Sequence, residues 1–254
     1  MIRLAMNHRI AVLLLASLSL PAVAQTTSHS GASAKVGATN STHPVPLNPN
    51  APATNCLQCH SDLQKGQYVH TAMSMGCTTC HTVQTENGIT RVTLTAPTDQ
   101  ICVTCHVLST DKVLHGPYRE GLCVACHSPH ASDFPAHTWA SAQDICLGCH
   151  TRSRLKVDDA RQTVTTPWGQ SLTLAQMKGG QYLNLNATET LDHPVQGHPV
   201  SGPNTSPLLG PLTCLSCHRP HSSNYANLLP VGPLASMPDC RSCGLCKQCH
   251  ANMY

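Results

Sequence analysis

Seven times along this 254-residue chain, two cysteines stand three positions apart with a histidine directly after the second. The sets are Cys56, Cys59 and His60; Cys77, Cys80 and His81; Cys102, Cys105 and His106; Cys123, Cys126 and His127. Then follow Cys146, Cys149 and His150; Cys214, Cys217 and His218; and Cys246, Cys249 and His250. At this spacing two thiols add across the vinyl groups of haem, and the adjacent histidine lies under the iron as its proximal axial ligand. A single copy would also suit a zinc or redox Cys-x-x-Cys. Seven copies, using fourteen of the sixteen cysteines, point to seven covalently attached haem c groups.

The remaining histidines bear on what such haems would do. Of seventeen, seven belong to the motifs and His8 lies in the N-terminal apolar segment, which leaves nine. Seven second axial ligands are needed. Setting aside His29, in a polar run, and one of His193 and His198 gives that number. His198 is preferred because it is nearer Cys214 and sits in a Gly-His-Pro turn. The expected distal ligands are therefore His43, His70, His115, His130, His137, His198 and His221. For any one of them a surface hydrogen-bonding role is the plainer reading, but their placement follows the motifs. Pro129 disfavours helical geometry at Ser128, and three residues span at most about 10 Å. His130 is thus expected to serve a neighbouring haem rather than the one held by His127. Met73, Met75, Met237 and Met253 are alternative ligands that would raise the potential. Two axial nitrogens close the iron, so the expected chemistry is low-potential electron transfer, with no catalytic residue and no enzyme activity.

Composition sets the setting. Residues 1–24 read as a signal peptide, with Arg3 and Arg9, an apolar run to Leu20, and Ala-Val-Ala before Gln25. The run is short of the ~20 residues a spanning helix needs, and no cysteine follows until Cys56, so no membrane or lipid anchor is expected after cleavage. Without this leader the fifteen basic residues fall to thirteen against twelve acidic ones. Seven ferric haems with ionised propionates would bring the net charge to about −6, which disfavours a nucleic-acid partner. Phe134 is the only phenylalanine and aromatics are 3% of the chain. The haems must then supply the apolar mass of the core, and folding should depend on their attachment.

The elements that position these residues are short. Residues 25–50 read as a flexible leader, 51–150 as a five-haem region, 151–192 as a haem-free insert and 193–254 as a two-haem region. The first and second motifs are separated as the third and fourth are, with His70 and His115 similarly placed in the intervals. A strand is expected after the Asn87-Gly88 turn, ending at Pro97, as the one clear strand of the first half. A single helix is expected from His137 to Cys146. A hairpin is suggested from Thr163 to Leu174 around Pro167, Trp168 and Gly169. Arg152, Arg154, Lys156 and Arg161 form a basic patch. Cys240 and Cys243 make a Cys-x-x-Cys without its histidine, left open between a disulfide and a degenerate haem site.

The stretches HGPYREGLCVACHSPH and GHPV…LTCLSCHRPH resemble the doubled-CXXCH family of multihaem cytochromes. The resemblance implies a mostly irregular chain with short α-helices and little β structure, wrapped around a stacked haem chain, with bis-histidine ligation and an electron-transfer role. It implies residence in the periplasm or at the cell surface. Redox proteins are the expected partners: a membrane quinol-oxidising cytochrome upstream, and a terminal reductase or outer-membrane conduit downstream. Two rival readings are a multihaem reductase of nitrite, hydroxylamine or tetrathionate type with one open iron, and a homo-oligomeric subunit of a cytochrome filament. The 151–192 insert and the Cys240 and Cys243 pair depart from the family pattern.

Overall fold

In a computed structural model, which describes residues 42–48, 50, 52–177, 211–240 and 243–250, each of the seven motifs is wound into a short helical turn. The α-helices are α1 (Ala53–Cys59), α2 (Gly116–Arg119), α3 (Ala142–His150), α4 (Cys214–Cys217) and α5 (Cys243–Cys249). The first, fifth, sixth and seventh motifs lie on α1, α3, α4 and α5. The second, third and fourth lie on 3₁₀ turns at Cys77–Thr79, Cys102–Thr104 and Cys123–Ala125. In five motifs the histidine N–H donates to the carbonyl of the first cysteine: His60 to Cys56 (2.9 Å), His106 to Cys102 (2.9 Å), His127 to Cys123 (3.0 Å), His218 to Cys214 (2.9 Å) and His250 to Cys246 (2.8 Å). That turn brings residues i, i+3 and i+4 onto one side of the chain. Helices this short do not persist alone in water. Something packed against them must hold them.

Helix α3 illustrates how a boundary is set. The Ser141 hydroxyl accepts from the Asp144 N–H (3.1 Å) and donates to the Asp144 carboxylate (2.7 Å), which also accepts from Arg154 (3.0 Å). The helix expected from His137 therefore starts only at Ala142. His137, where it is expected to begin, is left-handed (φ 57°), as is Ala136 before it (φ 55°), a conformation no continuing helix accommodates.

The strands are β1 (Thr42–His43), β2 (Tyr68–Val69), β3 (His81–Glu86), β4 (Ile89–Leu94), β5 (Val113–Leu114), β6 (Ala131–Ser132), β7 (Lys156–Asp158), β8 (Thr163–Thr165), β9 (Ser171–Thr173) and β10 (Ser222–Ser223). They form four small antiparallel sheets, ordered β1-β4-β3, β2-β6, β5-β10 and β7-β8-β9. The expected strand is β4, but it does not stand alone. Asn87 (φ 50°) and Gly88 (φ 75°) make the two-residue turn of a hairpin whose other arm, β3, begins at the second motif's own histidine. The two-residue strands carry no periodic signal, and tertiary pairing alone creates them.

The β8–β9 hairpin matches the expectation, and β7 completes a meander. Its apolar face builds the small protein core: Val164 and Leu172 pack on Ala125 of the fourth motif, flanked by Leu122, Val157, Leu174 and Met177. Trp168 reaches across to donate its indole N–H to the Ala125 carbonyl (2.9 Å). Of the basic patch, Arg154 pairs with Asp144 and Arg161 with Asp158 (2.8 Å).

The last motifs interlock with the earlier ones. Strand β10 pairs β5, Asp111 accepts from Ser222 and Asn224 (2.8 Å each), and Gln143 of α3 accepts from the Cys214 N–H (3.1 Å). Cys240 and Cys243 form a disulfide (Cα–Cα 5.4 Å), which decides between the two alternatives the sequence left open. Cys243 is buried at the first residue of α5, so the bridge anchors the helix carrying the seventh motif. The expectations for residues 1–41, His193 and His198 lie outside the described residues.

The contact between insert and fifth motif is close enough to test. A Cβ on Gly148, between Cys146 and Cys149, would lie 2.3 Å from the Trp168 ring. Gly148→Ala is expected to destabilise the folded protein by about 1–3 kcal/mol, and pairing it with Trp168→Ala should recover part of that loss. Chemical denaturation of the haem-loaded wild type and variants measures both.

Candidate haem-binding site

The protein's own core is thin. Among the described residues only Ala125, Leu147, Leu155, Val164, Leu172, Leu229 and Cys243 are buried apolar side chains. What the helical turns surround is instead one continuous cavity of about 3130 Å³. That is several times the roughly 300–1,000 Å³ of an ordinary small-molecule site. All fourteen motif cysteines and all seven motif histidines line it, together with His43, His70, His115, His130, His137 and His221. Leu172, Gln176 and Met177 close one wall, so the insert contributes to the cavity rather than merely linking regions.

The imidazoles meet across this space in pairs. His43 faces His60 (ring centres 6.0 Å, planes at 60°), and His130 faces His81 (6.2 Å, 26°). His70 faces His106 (6.1 Å, 20°), His221 faces His127 (5.8 Å, 48°), and His115 faces His150 (6.1 Å, 18°). An imidazole nitrogen bonds a first-row metal at about 2.0 Å and its ring centre lies about 1.2 Å behind, so two imidazoles on one iron have centres about 6.4 Å apart. The five separations fit a metal held between each pair. Among the described residues no group of three or more His, Cys, Asp or Glu converges as a bare-ion site requires. Ligands in twos, each pair beside two cysteines, suit an iron whose other four ligands come from a porphyrin.

His137 is placed differently. It stands edge-on to His70 (5.3 Å, 76°) and its Nδ1 donates to the Tyr68 carbonyl (3.3 Å). Sequence reasoning also missed the carbonyls that orient the ligands. His127 Nδ1 donates to Ala136 O (2.8 Å) and His218 Nδ1 to Asn227 O (2.7 Å). The rings of His70 and His115 lie beside the carbonyls of Pro129 and Pro220. A hydrogen bond from Nδ1 fixes the tautomer and makes Nε2 the ligand atom. Backbone acceptors leave no residue-type signal.

The cysteines mark where the haem edges would attach, and successive motifs meet there. Thiols of the first and second motifs hydrogen-bond (Cys56 and Cys77), as do those of the third and fourth (Cys102 and Cys123) and of the fifth and sixth (Cys146 and Cys214). Cys80 lies close enough to Cys102, Cys126 to Cys149, and Cys217 to Cys246 and Cys249 for their charges to interact. Each motif thus adjoins the next in sequence order, from first to seventh. Burial, with neighbouring thiols adding to it, pushes the free Cys126 thiol up to about 12.

Burial first, and neighbouring imidazoles second, hold His70, His115, His130 and His221 below the ordinary imidazole value. A lowered value in the folded state means the unfolded chain takes up protons more readily. The stability these rings contribute is therefore complete above about pH 6.5 and is lost as pH falls below it. Acid titration of the haem-loaded protein should keep its low-spin visible spectrum through the ordinary imidazole range and develop high-spin bands only below it. In the oxidised protein, near-parallel imidazole planes give rhombic low-spin EPR signals and strongly crossed planes give larger principal g values. The centres of the second, third and fifth motifs should show the first type, and those of the first and fourth the second.

Comparison with known proteins matches residues 115–155 to the family model of the doubled CXXCH motif. No curated protein and no solved structure matches the chain. The matched segment spans the fourth and fifth motifs together with His115 and His130. A doubled CXXCH motif of the kind found in multihaem c-type cytochromes therefore lies at residues 115–155, and this chain is a haem c-binding protein of electron transfer.

Proposed function

We propose that the chain is an exported electron carrier in which seven bis-histidine haems form one continuous path in sequence order. The observation that carries this reading is the single cavity lined by every motif, with the attachment cysteines of each motif adjoining those of the next. Bound haem iron supplies one-electron chemistry between its ferric and ferrous states. The chain's own residues do the rest. The motif cysteines would tether each haem and the paired imidazoles would hold it, so that little rearranges when charge arrives. Two neutral histidines per haem would favour a low potential and leave no place for substrate.

A path that runs in sequence order has its ends at the first and seventh motifs, and electrons enter and leave there. With propionates counted the surface is acidic, so basic faces on redox partners suit it. A quinol-oxidising membrane cytochrome upstream and a reductase or outer-membrane conduit downstream are the partner classes, in the periplasm or at the cell surface.

The test is made on the purified haem-loaded protein. Mass spectrometry is expected to find seven covalent haems. EPR of the fully oxidised sample is expected to find essentially all iron low-spin. A high-spin fraction near one iron in seven would reveal an open site and bring the reductase reading forward, and an assembly of regular filaments under the electron microscope would favour the structural one.

A further inference from the structure

The segments at 126–130 and 217–221 share the order Cys-His-x-Pro-His, and the structure carries the likeness well beyond those residues. His127 and His218 each donate Nδ1 to the carbonyl nine residues on, Ala136 and Asn227. Those carbonyls belong to paired left-handed residues: Ala136 (φ 55°) with His137 (φ 57°), and Asn227 (φ 57°) with Leu228 (φ 57°). Ser128 N–H donates to His137 O and Arg219 N–H to Leu228 O, both at 2.7 Å. Ser132 and Ser223 stand at matching places, each donating onward to the Thr138 or Leu229 carbonyl while accepting from the N–H of Phe134 or Tyr225. Asp133 and Asn224 accept from the N–H of Gln67 and Lys112.

Each segment also grips a distant histidine at two points. Backbone N–H groups of His70 and His115 donate to the carbonyls of His130 and His221, both at 2.8 Å, beside the β2–β6 and β5–β10 pairings. Their rings lie beside the carbonyls of Pro129 and Pro220. Proline fixes its own φ, so the direction of that carbonyl is set by the chain and not by solvent.

The partners follow a rule. In the first segment His127 belongs to the fourth motif, His130 faces His81 of the second, and Pro129 holds His70, which faces His106 of the third. In the second segment His218 belongs to the sixth motif, His221 faces His127 of the fourth, and Pro220 holds His115, which faces His150 of the fifth. Every assignment moves forward by two motifs.

We propose that Cys-His-x-Pro-His is a positioning unit that sets axial ligands at three successive centres, repeated with a step of two, in which Pro129 positions His70, Pro220 positions His115, and His137 is not a ligand. The place of His137 in the second copy is held by Leu228, which cannot bind iron, while every residue that positions or faces a motif histidine has its counterpart. This inference rests on the axial roles proposed above and departs from the sequence expectation for His137.

The experiment uses the full-length haem-loaded protein, with EPR and spectroelectrochemical titration. His70→Met and His130→Met mark the third and second centres by the low-spin signal each removes. His137→Leu is expected to keep all iron low-spin and every signal in place. Pro129→Gly, distant in sequence from the third motif, is expected to shift the signal marked by His70→Met and to move that centre's potential upward, because a less firmly held imidazole is a weaker donor. Pro220→Gly with His115→Met repeats the comparison at the fifth centre, should a variant of the first set fail to fold. High-spin iron in His137→Leu, or proline variants that leave the marked signals unmoved, would overturn the positioning unit alone. If His70→Met and His115→Met themselves leave the low-spin iron unchanged, the axial assignment fails and takes this inference with it.

Discussion

The rest of the structure depends on a shortage of apolar side chains around a very large cavity. Aromatics are 3% of the chain, and the buried protein core around Ala125, Val164 and Leu172 is a few residues across. Short helical turns and two-residue strands gain little from their own hydrogen bonds in water. Burial of large apolar groups inside the cavity would supply the driving force that side chains do not. Attachment of haem and folding would in this sense be one event. The same constraint explains why the motifs crowd together: roughly thirty residues per centre cannot enclose each one separately, so neighbouring centres must cover one another.

Within that constraint the backbone does much of the ligand positioning. Carbonyls of Ala136 and Asn227 accept from imidazole rings and are presented by left-handed residues, while those of Pro129 and Pro220 lie beside the rings of His70 and His115. A ring whose Nδ1–H is engaged presents its other nitrogen in a fixed direction. For electron transfer this matters more than tight packing, because a centre that keeps its geometry on reduction loses little energy to rearrangement. The insert takes part too, through Trp168 on Ala125 and through Leu172 and Met177 on the cavity wall.

What the sequence read well was local. The Cys-x-x-Cys-His turns, the Asn87-Gly88 turn and the hairpin around Trp168 all depend on contacts a few residues apart. What it read less well was relational. The equal intervals from first to second and from third to fourth motif suggest a repeat of motif, histidine and motif. The likeness of the two Cys-His-x-Pro-His segments is legible in the sequence, but the distant partners each segment holds are not. His137 is expected beside a motif histidine, but its ring stands edge-on to that of His70, and position along the chain says nothing of which ring a histidine meets. The helix drawn through it failed for a local reason, the Ser141 cap with Asp144.

By itself the amino-acid sequence determined the chemistry: seven paired-thiol sites, each with its adjacent histidine, are covalent facts that need no fold to be recognised. It also determined that the protein's apolar core is small, since composition does not change on folding. Tertiary structure alone decided which histidine faces which, because His70 and His106, or His115 and His150, meet only after strands β2 and β5 pair with β6 and β10. It likewise decided that Cys240 and Cys243 join each other. Residue type sets what a group can bind, whereas the partner it binds depends on non-local backbone pairing, and that has no signature in a single chain.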